Sequence, residues 1–306
     1  MELDWLEDFM ALGAAQNFSR AAEARHVTQP AFSRRIQMLE GWVGADLFER
    51  QPRRVLLTPA GERFRPYAEG VLRDLRQAKA DALEAAGRAK TTLTIAATHA
   101  LSFTFFPHWV RSHAPALLGS LNLMSDSMEA CEELMLRGEA SFLLCHRHAD
   151  AQGKLHARQF RFASVGDDLL VPLCAPDRNG KPLWPLRASG DGGPVPHLAY
   201  APASGLGRIL DADWKTRGLA FQLQHAMTAR LAAALLTMAE DGRGVAWLPL
   251  SLATDHLARG ALVHAGSAEL ATPVEIVLYR PVARLGEAAE RFWHSLNTGE
   301  SRFQKS

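Results

Sequence analysis

Apolar residues recur over the first dozen positions at Leu3, Leu6, Phe9, Met10 and Leu12, the spacing of a helix with one buried face. The run halts at Asn17-Phe18-Ser19, where the Ser19 hydroxyl is expected to cap a second, alanine-rich helix from Arg20 to about Arg25. Thr28 is expected to cap a third, from Gln29 to Glu40, with Pro30 in the first turn, where no intrahelical N–H bond is lost. There Phe32, Ile36 and Leu39 share the inward face, and Gln29, Ser33, Arg34 and Gln37 point elsewhere. Two short helices joined this tightly predict a helix-turn-helix. Leu47-Phe48 and Val55-Leu56-Leu57 flank the turn Gln51-Pro52-Arg53-Arg54 and predict a two-stranded wing. Thr58-Pro59 restarts a helix whose stripe, Phe64, Tyr67, Val71, Leu75, Ala78 and Ala82, needs a partner: a second subunit, or its own domain.

From Thr92 the pattern changes to short β-prone runs alternating with helical stretches. The strands expected are Thr92–Ala97, Ser120–Met124, Ser141–Cys145, Asp168–Leu173, His197–Ala201, Gly244–Leu248 and Val274–Tyr279. Such βα alternation predicts mostly parallel sheets, with ligands held at the C-terminal strand ends beside helix N-termini.

Length and composition add limits. A chain of 306 residues, 47% of them hydrophobic, can bury a large core and is expected to form two or more domains. Acidic residues in the first positions, and no apolar run of the roughly 18 residues a bilayer demands, predict a cytoplasmic protein. Cys131, Cys145 and Cys174 lack paired spacing and read as reduced thiols. The formal net charge is only +1, but between Ser19 and Arg54 seven arginines stand against four acidic residues, leaving +3 on a short segment. Gln29, Ser33 and Arg34 carry groups that read base edges, and Arg35 with the Thr28 cap region can meet phosphates. A polar helix face is more often merely solvated; the basic wing beside it changes the weighing.

The blocks Asn17-Phe18-Ser19-Arg20-Ala21-Ala22, Thr28-Gln29-Pro30-Ala31-Phe32-Ser33-Arg34-Arg35-Ile36, Leu39-Glu40, Leu47-Phe48-Glu49-Arg50 and Val55-Leu56-Leu57-Thr58-Pro59-Ala60-Gly61 stand in one order over about sixty residues. Together they closely resemble the N-terminal signature of LysR-type transcription regulators. The resemblance implies DNA contacts from Gln29, Pro30, Ser33 and Arg34, phosphate contacts from Arg50, Arg53 and Arg54, and assembly as homodimers or tetramers. It implies an α/β architecture: an N-terminal winged helix-turn-helix (1–58), a long linker helix for dimerisation (59–90) and a C-terminal two-lobed effector domain like the periplasmic binding proteins (91–306). Lobe I is expected over 91–162 and 269–306 and lobe II over 163–268, with crossings near Arg161–Ser164 and Ala265–Ala271.

Strand ends then nominate cleft residues: Thr98, His99 and Ser102, then Ser125 and Ser127, then Cys145 and His146, with Ser204 and Gly205 in the second lobe. Serines at helix starts are as often simple caps, but as a set these favour a small polar or anionic effector. Cys145-His146-Arg147-His148 invites a metal or redox reading; its spacing fits no standard metal site, and a buried strand-end cysteine is the simpler account. No metal and no cofactor is expected. The stretches Ala96–Ser102, Asp241–Pro249 and Ala289–Trp293 resemble the hypochlorite-responsive branch of the LysR-type regulators, which implies an oxidative stress response through methionine oxidation. Met227 occupies a matching place, but Leu206 stands where a second methionine is expected; Met124, Met128, Met135 and Met238 are the remaining thioethers considered. A regulator answering a conventional metabolite is the alternative. A cleft hydrolase is the remote one, because Ala203-Ser204-Gly205-Leu206-Gly207 lacks the leading glycine of a nucleophile elbow, and no enzyme activity is expected.

Overall fold

The computed structural model describes residues 1–51, 54–86, 92–113, 121–186 and 193–299. Two compact units divide the chain near residue 90.

The first unit contains α1 (Leu3–Ala15), α2 (Phe18–Ala24), α3 (Gln29–Val43), the antiparallel pair β1 (Phe48–Gln51) and β2 (Arg54–Leu57), and α4 (Pro59–Ala85). Its core joins Leu6, Phe9 and Leu12 of α1 to Phe32, Ile36 and Leu39 of α3, all essentially excluded from solvent. Each such side chain contributes roughly 1.5–3 kcal/mol by burial. Asn17, not Ser19, caps α2: its Oδ1 accepts from the Arg20 N–H at 3.0 Å, because α2 starts at Phe18, two residues before the expected Arg20. Thr28 is the N-cap residue of α3, but its side chain makes no capping bond. Thr58 caps α4 by accepting from the Gly61 N–H at 3.0 Å and also donates to the Asp46 carbonyl at 2.7 Å. Only glycine fits at position 61, where a Cβ would lie 2.2 Å from the Leu47 carbonyl oxygen.

Helix α4 is apolar on two faces rather than one. Ala68 and Leu72, with Phe64 beside them, pack into the core of their own unit. Tyr67, Val71 and Leu75 instead remain 69%, 49% and 48% exposed. Of the predicted stripe, Phe64 thus packs on its own unit, while Tyr67, Val71 and Leu75 stay exposed.

The second unit is built on a mixed sheet. Strands β3 (Leu93–Thr98), β4 (Leu121–Asp126) and β5 (Phe142–Arg147) are parallel. They continue into antiparallel β11 (Thr272–Pro281) and then the 15-residue β6 (Phe160–Cys174). Strands β9 (Ala246–Pro249) and β10 (Val263–His264) pair antiparallel with the far end of β6. Parallel β7 (Val195–Tyr200) and β8 (Leu223–Ala229) join this end through Val245, which donates to the Pro196 carbonyl and accepts from the Leu198 N–H. Helices α5 (His99–Thr104), α6 (Phe106–His113), α7 (Met128–Leu136) and α11 (Glu287–Gly299) belong to the first half, and α8 (Gly205–Arg217), α9 (Ala232–Glu240) and α10 (Leu250–Ala258) to the second.

This arrangement corrects four expectations. The strand placed at Asp168–Leu173 is only the rear of β6, whose front, Phe160–Asp167, takes in the first crossing expected near Arg161–Ser164. The return crossing is β11 itself, not Ala265–Ala271, which holds a 3-10 turn at Ala268–Leu270. Strands β8 and β10 were not predicted. The crossing strands also make the sheet mixed rather than mostly parallel. A bulge at Val165 shifts the register opposite Ile276 and Val277. The first half is filled by Trp109, Phe142, Phe292 and Trp293, with Phe142 stacked on Trp293 at 6.1 Å; the second by Trp247, Leu235 and Leu248 among others.

Candidate nucleic-acid interface and effector cleft

Burying Phe32, Ile36 and Leu39 fixes the rotation of α3 and turns Gln29, Pro30, Arg34 and Gln37 to solvent, with Thr28 exposed before them and Ser33 half-buried. A buried carboxylate holds the three helices together. Asp8 of α1, with no exposed surface, accepts from Arg25 Nε at 2.8 Å and from Arg35 Nη1 at 3.4 Å. Arg35 also lies 3.5 Å from Asp4. Its guanidinium is thus engaged by α1, which sets it apart from the exposed Arg34. Glu40, one turn from the end of α3, accepts from the Leu47 and Phe48 N–H groups at 2.9 and 3.1 Å and so locks the wing to the helix. In the wing Arg50 lies over the Phe18 ring at 4.7 Å, and Arg54 donates to Gln51 at 3.3 Å. Arg53 lies outside the described residues. The structural roles of Asp8 and Glu40 were not read from the sequence: Asp8 lies among the other acidic residues of the first helix, and Glu40, though within the matched Leu39-Glu40 block, read as simple charge balance.

Six of the nine nominated cleft residues line one cavity of about 50 Å³: Thr98, His99, Ser127, His146, Ser204 and Gly205. That is room for a few waters or one small ion or molecule. Ser102 and Ser125 stand behind it, with the Ser125 hydroxyl 3.1 Å from His99 Nδ1 and 2.7 Å from the Ser102 hydroxyl. Cys145 is fully buried and lines instead a neighbouring space with Glu132, Arg147, His148 and Arg208. Met128, Leu206, Arg230, Leu231 and Ala232 also line the first cavity and were not nominated as cleft residues, as does Asp126, whose carboxylate accepts from the Ser127 N–H at 2.6 Å. Arg230 follows β8 directly, so recognising that strand would have exposed it to the same strand-end argument.

Helices α7, α8 and α9 all begin at this cavity. Ser127 caps α7 through the Ala130 N–H at 3.3 Å, whereas Ser204 makes no capping bond for α8 and the cap position of α9 is Leu231, which has no acceptor to offer. The opening N–H groups of α8 and α9 are therefore free for a ligand, and both helix dipoles favour negative charge there. Thr98 Oγ1 is buried with no hydrogen-bond partner. His146 Nε2 lies 3.1 Å from Asp168 Oδ2, which also accepts from the Ser251 hydroxyl at 2.6 Å. Burial pushes the Asp168 carboxyl up, but His146 and Ser251 outweigh it and hold it below its ordinary value. The two halves touch at Gly205, where a Cβ would sit 2.9 Å from the Met128 Cβ, and Glu132 binds Arg208 across them at 3.1 Å.

The thiols are poorly placed for redox chemistry. Burial pushes Cys131 up to about 12 and raises Cys145 and Cys174 as well. Met227 is half-buried on β8 and packs against the core of the second half, as does Leu206; Leu206 lines the cavity and Met227 does not. The methionine that does line the cavity is Met128.

A helix-turn-helix wing on an amphipathic helix, followed by a two-half α/β unit with a cleft, is the architecture of a ligand-responsive transcription regulator, and the chain belongs to the LysR family. The family description "Bacterial regulatory helix-turn-helix protein, lysR family" matches residues 3–62, and "LysR substrate binding domain" matches residues 86–300. The chain is 31% identical over 296 residues to the HTH-type transcriptional regulator YjiE of Escherichia coli K12, covering 97% of this chain and 94% of that one. Among solved structures it is similar to full-length HypT from Salmonella typhimurium, described as a hypochlorite-specific LysR-type regulator, at 28% identity and a TM-score of 0.57 over 98% of each chain. It is also similar to Vibrio fischeri DarR in complex with DNA, at 29% identity and a TM-score of 0.54 over 97% of this chain and 98% of that one. No helix among the described residues is long and apolar enough to cross a membrane.

Proposed function

We propose that this LysR-type DNA-binding regulator is switched by a small anion, or a small oxidant, held between the two halves of its second unit. The reading rests on the cavity where α8 and α9 present uncapped N–H groups beside Arg230 and the orphaned Thr98 hydroxyl, a donor-rich site of a few waters' volume. Thr28, Gln29, Pro30, Ser33 and Arg34 face the major groove, Arg50, Arg53 and Arg54 serve phosphates, and Arg35 positions α3 through Asp8. Residues 59–90 form the linker, and Tyr67, Val71 and Leu75 meet their counterparts in a second subunit.

The hypochlorite-specific relative supports the oxidant version, and geometry favours Met128 over Met227 as its target. Sulfoxide formation at Met128 would place a polar, bulkier group against Gly205, at the contact between the halves. A hydrolase finds less support: Asp168 accepts from both His146 and Ser251, leaving no serine bonded to that imidazole, and His99 meets Ser125 with no carboxylate on its other nitrogen.

Affinity for DNA upstream of the protein's own gene, measured before and after hypochlorous acid treatment with mass spectrometry of Met128, Met227 and Cys145, tests the proposal. A reversible change that tracks Met128 sulfoxide and vanishes in Met128→Leu supports the oxidant version. Unchanged binding after confirmed oxidation leaves the anion version, and a response surviving Arg230→Gln and Thr98→Val removes that one too.

A further inference from the structure

The first half of the second unit carries another concavity that the regulatory reading does not use. Arg161, Arg280, Val282, Arg284, Glu290 and His294 line an open surface concavity of about 400 Å³, within the size range of small-molecule sites, and none of them lines the cleft. Their grouping has a cost. Arg161 and Arg280 are direct cross-strand partners in the β6–β11 ladder, and like charges placed opposite one another destabilise a sheet.

Only one of the three guanidiniums is matched by a carboxylate. Arg280 is fully buried; its Nη1 and Nη2 donate to the two Glu290 oxygens at 2.9 and 2.6 Å, and Nε and Nη2 donate to the Pro281 and Ala283 carbonyls. Glu290 also accepts from the Leu285 N–H at 2.8 Å. The Arg280 hydrogen bond, with the Leu285 N–H and the charges of Arg280 and, least, Arg161 adding to it, holds its carboxyl at about 2 against the effect of burial, so it stays ionised. Arg161 lies over the Trp293 ring at 5.7 Å, which orients its plane. Neither Arg161 nor Arg284 has an ion-pair partner among the described residues. Three arginines against one glutamate give the described lining a formal charge of +2, counting His294 as neutral.

We propose that this pocket binds a small dianion of the phosphate or dicarboxylate kind, gripped by the forked donors of Arg161 and Arg284 over a floor made by the Arg280–Glu290 pair. It is a second ligand site, independent of what occupies the cleft.

Isothermal titration calorimetry on the full chain without DNA, at constant ionic strength, tests this with sodium pyrophosphate and, separately, succinate. One saturable site per chain is expected for at least one probe, and which probe binds separates the phosphate class from the dicarboxylate class. Arg161→Gln and Arg284→Gln should each weaken it by about tenfold or more, and the matching lysine substitutions, which keep charge but lose the fork, by less. Arg230→Gln, which alters only the cleft, should leave it unchanged. Both arginines are exposed, so the variants are expected to fold, and far-UV circular dichroism verifies it. No saturable heat with either probe, binding that persists in the Arg161→Gln/Arg284→Gln double variant, or binding lost in Arg230→Gln would each overturn the assignment.

Discussion

Acidification should loosen the second unit through one side chain, His197. It sits on β7 with its ring 6.0 Å from Trp214 and 5.8 Å from Trp247, and its cross-strand partner on β8 is His225. Burial, with a smaller contribution from the charge of His225, lowers its pKa from 6.5 to about 4. The folded protein thus favours the neutral ring, while the unfolded chain takes up the proton at its ordinary pH. Stability from this group is complete above 6.5 and declines as pH falls from there towards about 4. At about 1.4 kcal/mol per unit, the full window corresponds to roughly 3 kcal/mol, and the step from about pH 7 to about pH 5 to roughly 2 kcal/mol. Urea unfolding of the wild type and of His197→Phe at those two pH values isolates the effect, because all other titrating groups are common to both. The wild type should lose about 2 kcal/mol more than the variant on acidification. Titration of the imidazole carbon protons by NMR, with the variant assigning the resonance, gives the pKa directly. A midpoint near 6.5, or equal pH dependence in the two proteins, would refute the argument.

Three further outcomes follow from specific contacts. Glu40→Ala strands the Leu47 and Phe48 N–H groups and should cost roughly 1–3 kcal/mol in thermal melts, with weaker DNA binding by fluorescence anisotropy; Glu40→Gln, which keeps an acceptor, should recover most of both. Gly205→Ala forces a methyl against the Met128 Cβ and Cγ and should destabilise the second unit by about 1–3 kcal/mol, and a double-mutant cycle with Met128→Gly, which removes both atoms, should show that loss relieved; strict additivity would contradict the contact. Cys131, Cys145 and Cys174 should resist iodoacetamide in the native protein and react together once urea unfolds it, whereas rapid native labelling of any of them would reopen a thiol-based response.

The first sixty residues were readable because their determinants are local. The spacing of Phe32, Ile36 and Leu39, the Thr58 cap and the basic wing each act within a few positions, and the one displaced cap moved from Ser19 only to Asn17. The second unit was read less completely, because its defining strands take their identity from distant partners. The front of β6, Phe160–Asp167, pairs with β11 over a hundred residues later; its place as a crossing near Arg161–Ser164 was readable, but its continuity with Asp168–Leu173 in one long strand was not. The residues Leu223–Ala229 contain two polar side chains, a histidine and two alanines among seven, too little apolar alternation to announce β8, and so Arg230 went unnoticed. Strand-end reasoning found Thr98, His99, His146 and Ser204, but it placed Cys145 at the cleft when alternation along β5 turns it inward. The Asp168–His146 pairing joins two strands that follow one another in the chain but are separated in the sheet by β11, and it had no signal of its own.

The position of β11 between β5 and β6 has a consequence for the order in which the protein is made. The first half of the second unit opens with Leu93, yet it lacks an inner strand until Thr272–Pro281 emerges, and lacks the Phe292 and Trp293 that close over Phe142 until later still. The helix-turn-helix unit needs nothing from that distance and can fold while synthesis continues. A nascent chain therefore acquires its DNA-reading surface long before its sensing unit is complete. A ribosome that stops short of residue 272 releases a protein able to occupy an operator but unable to respond there.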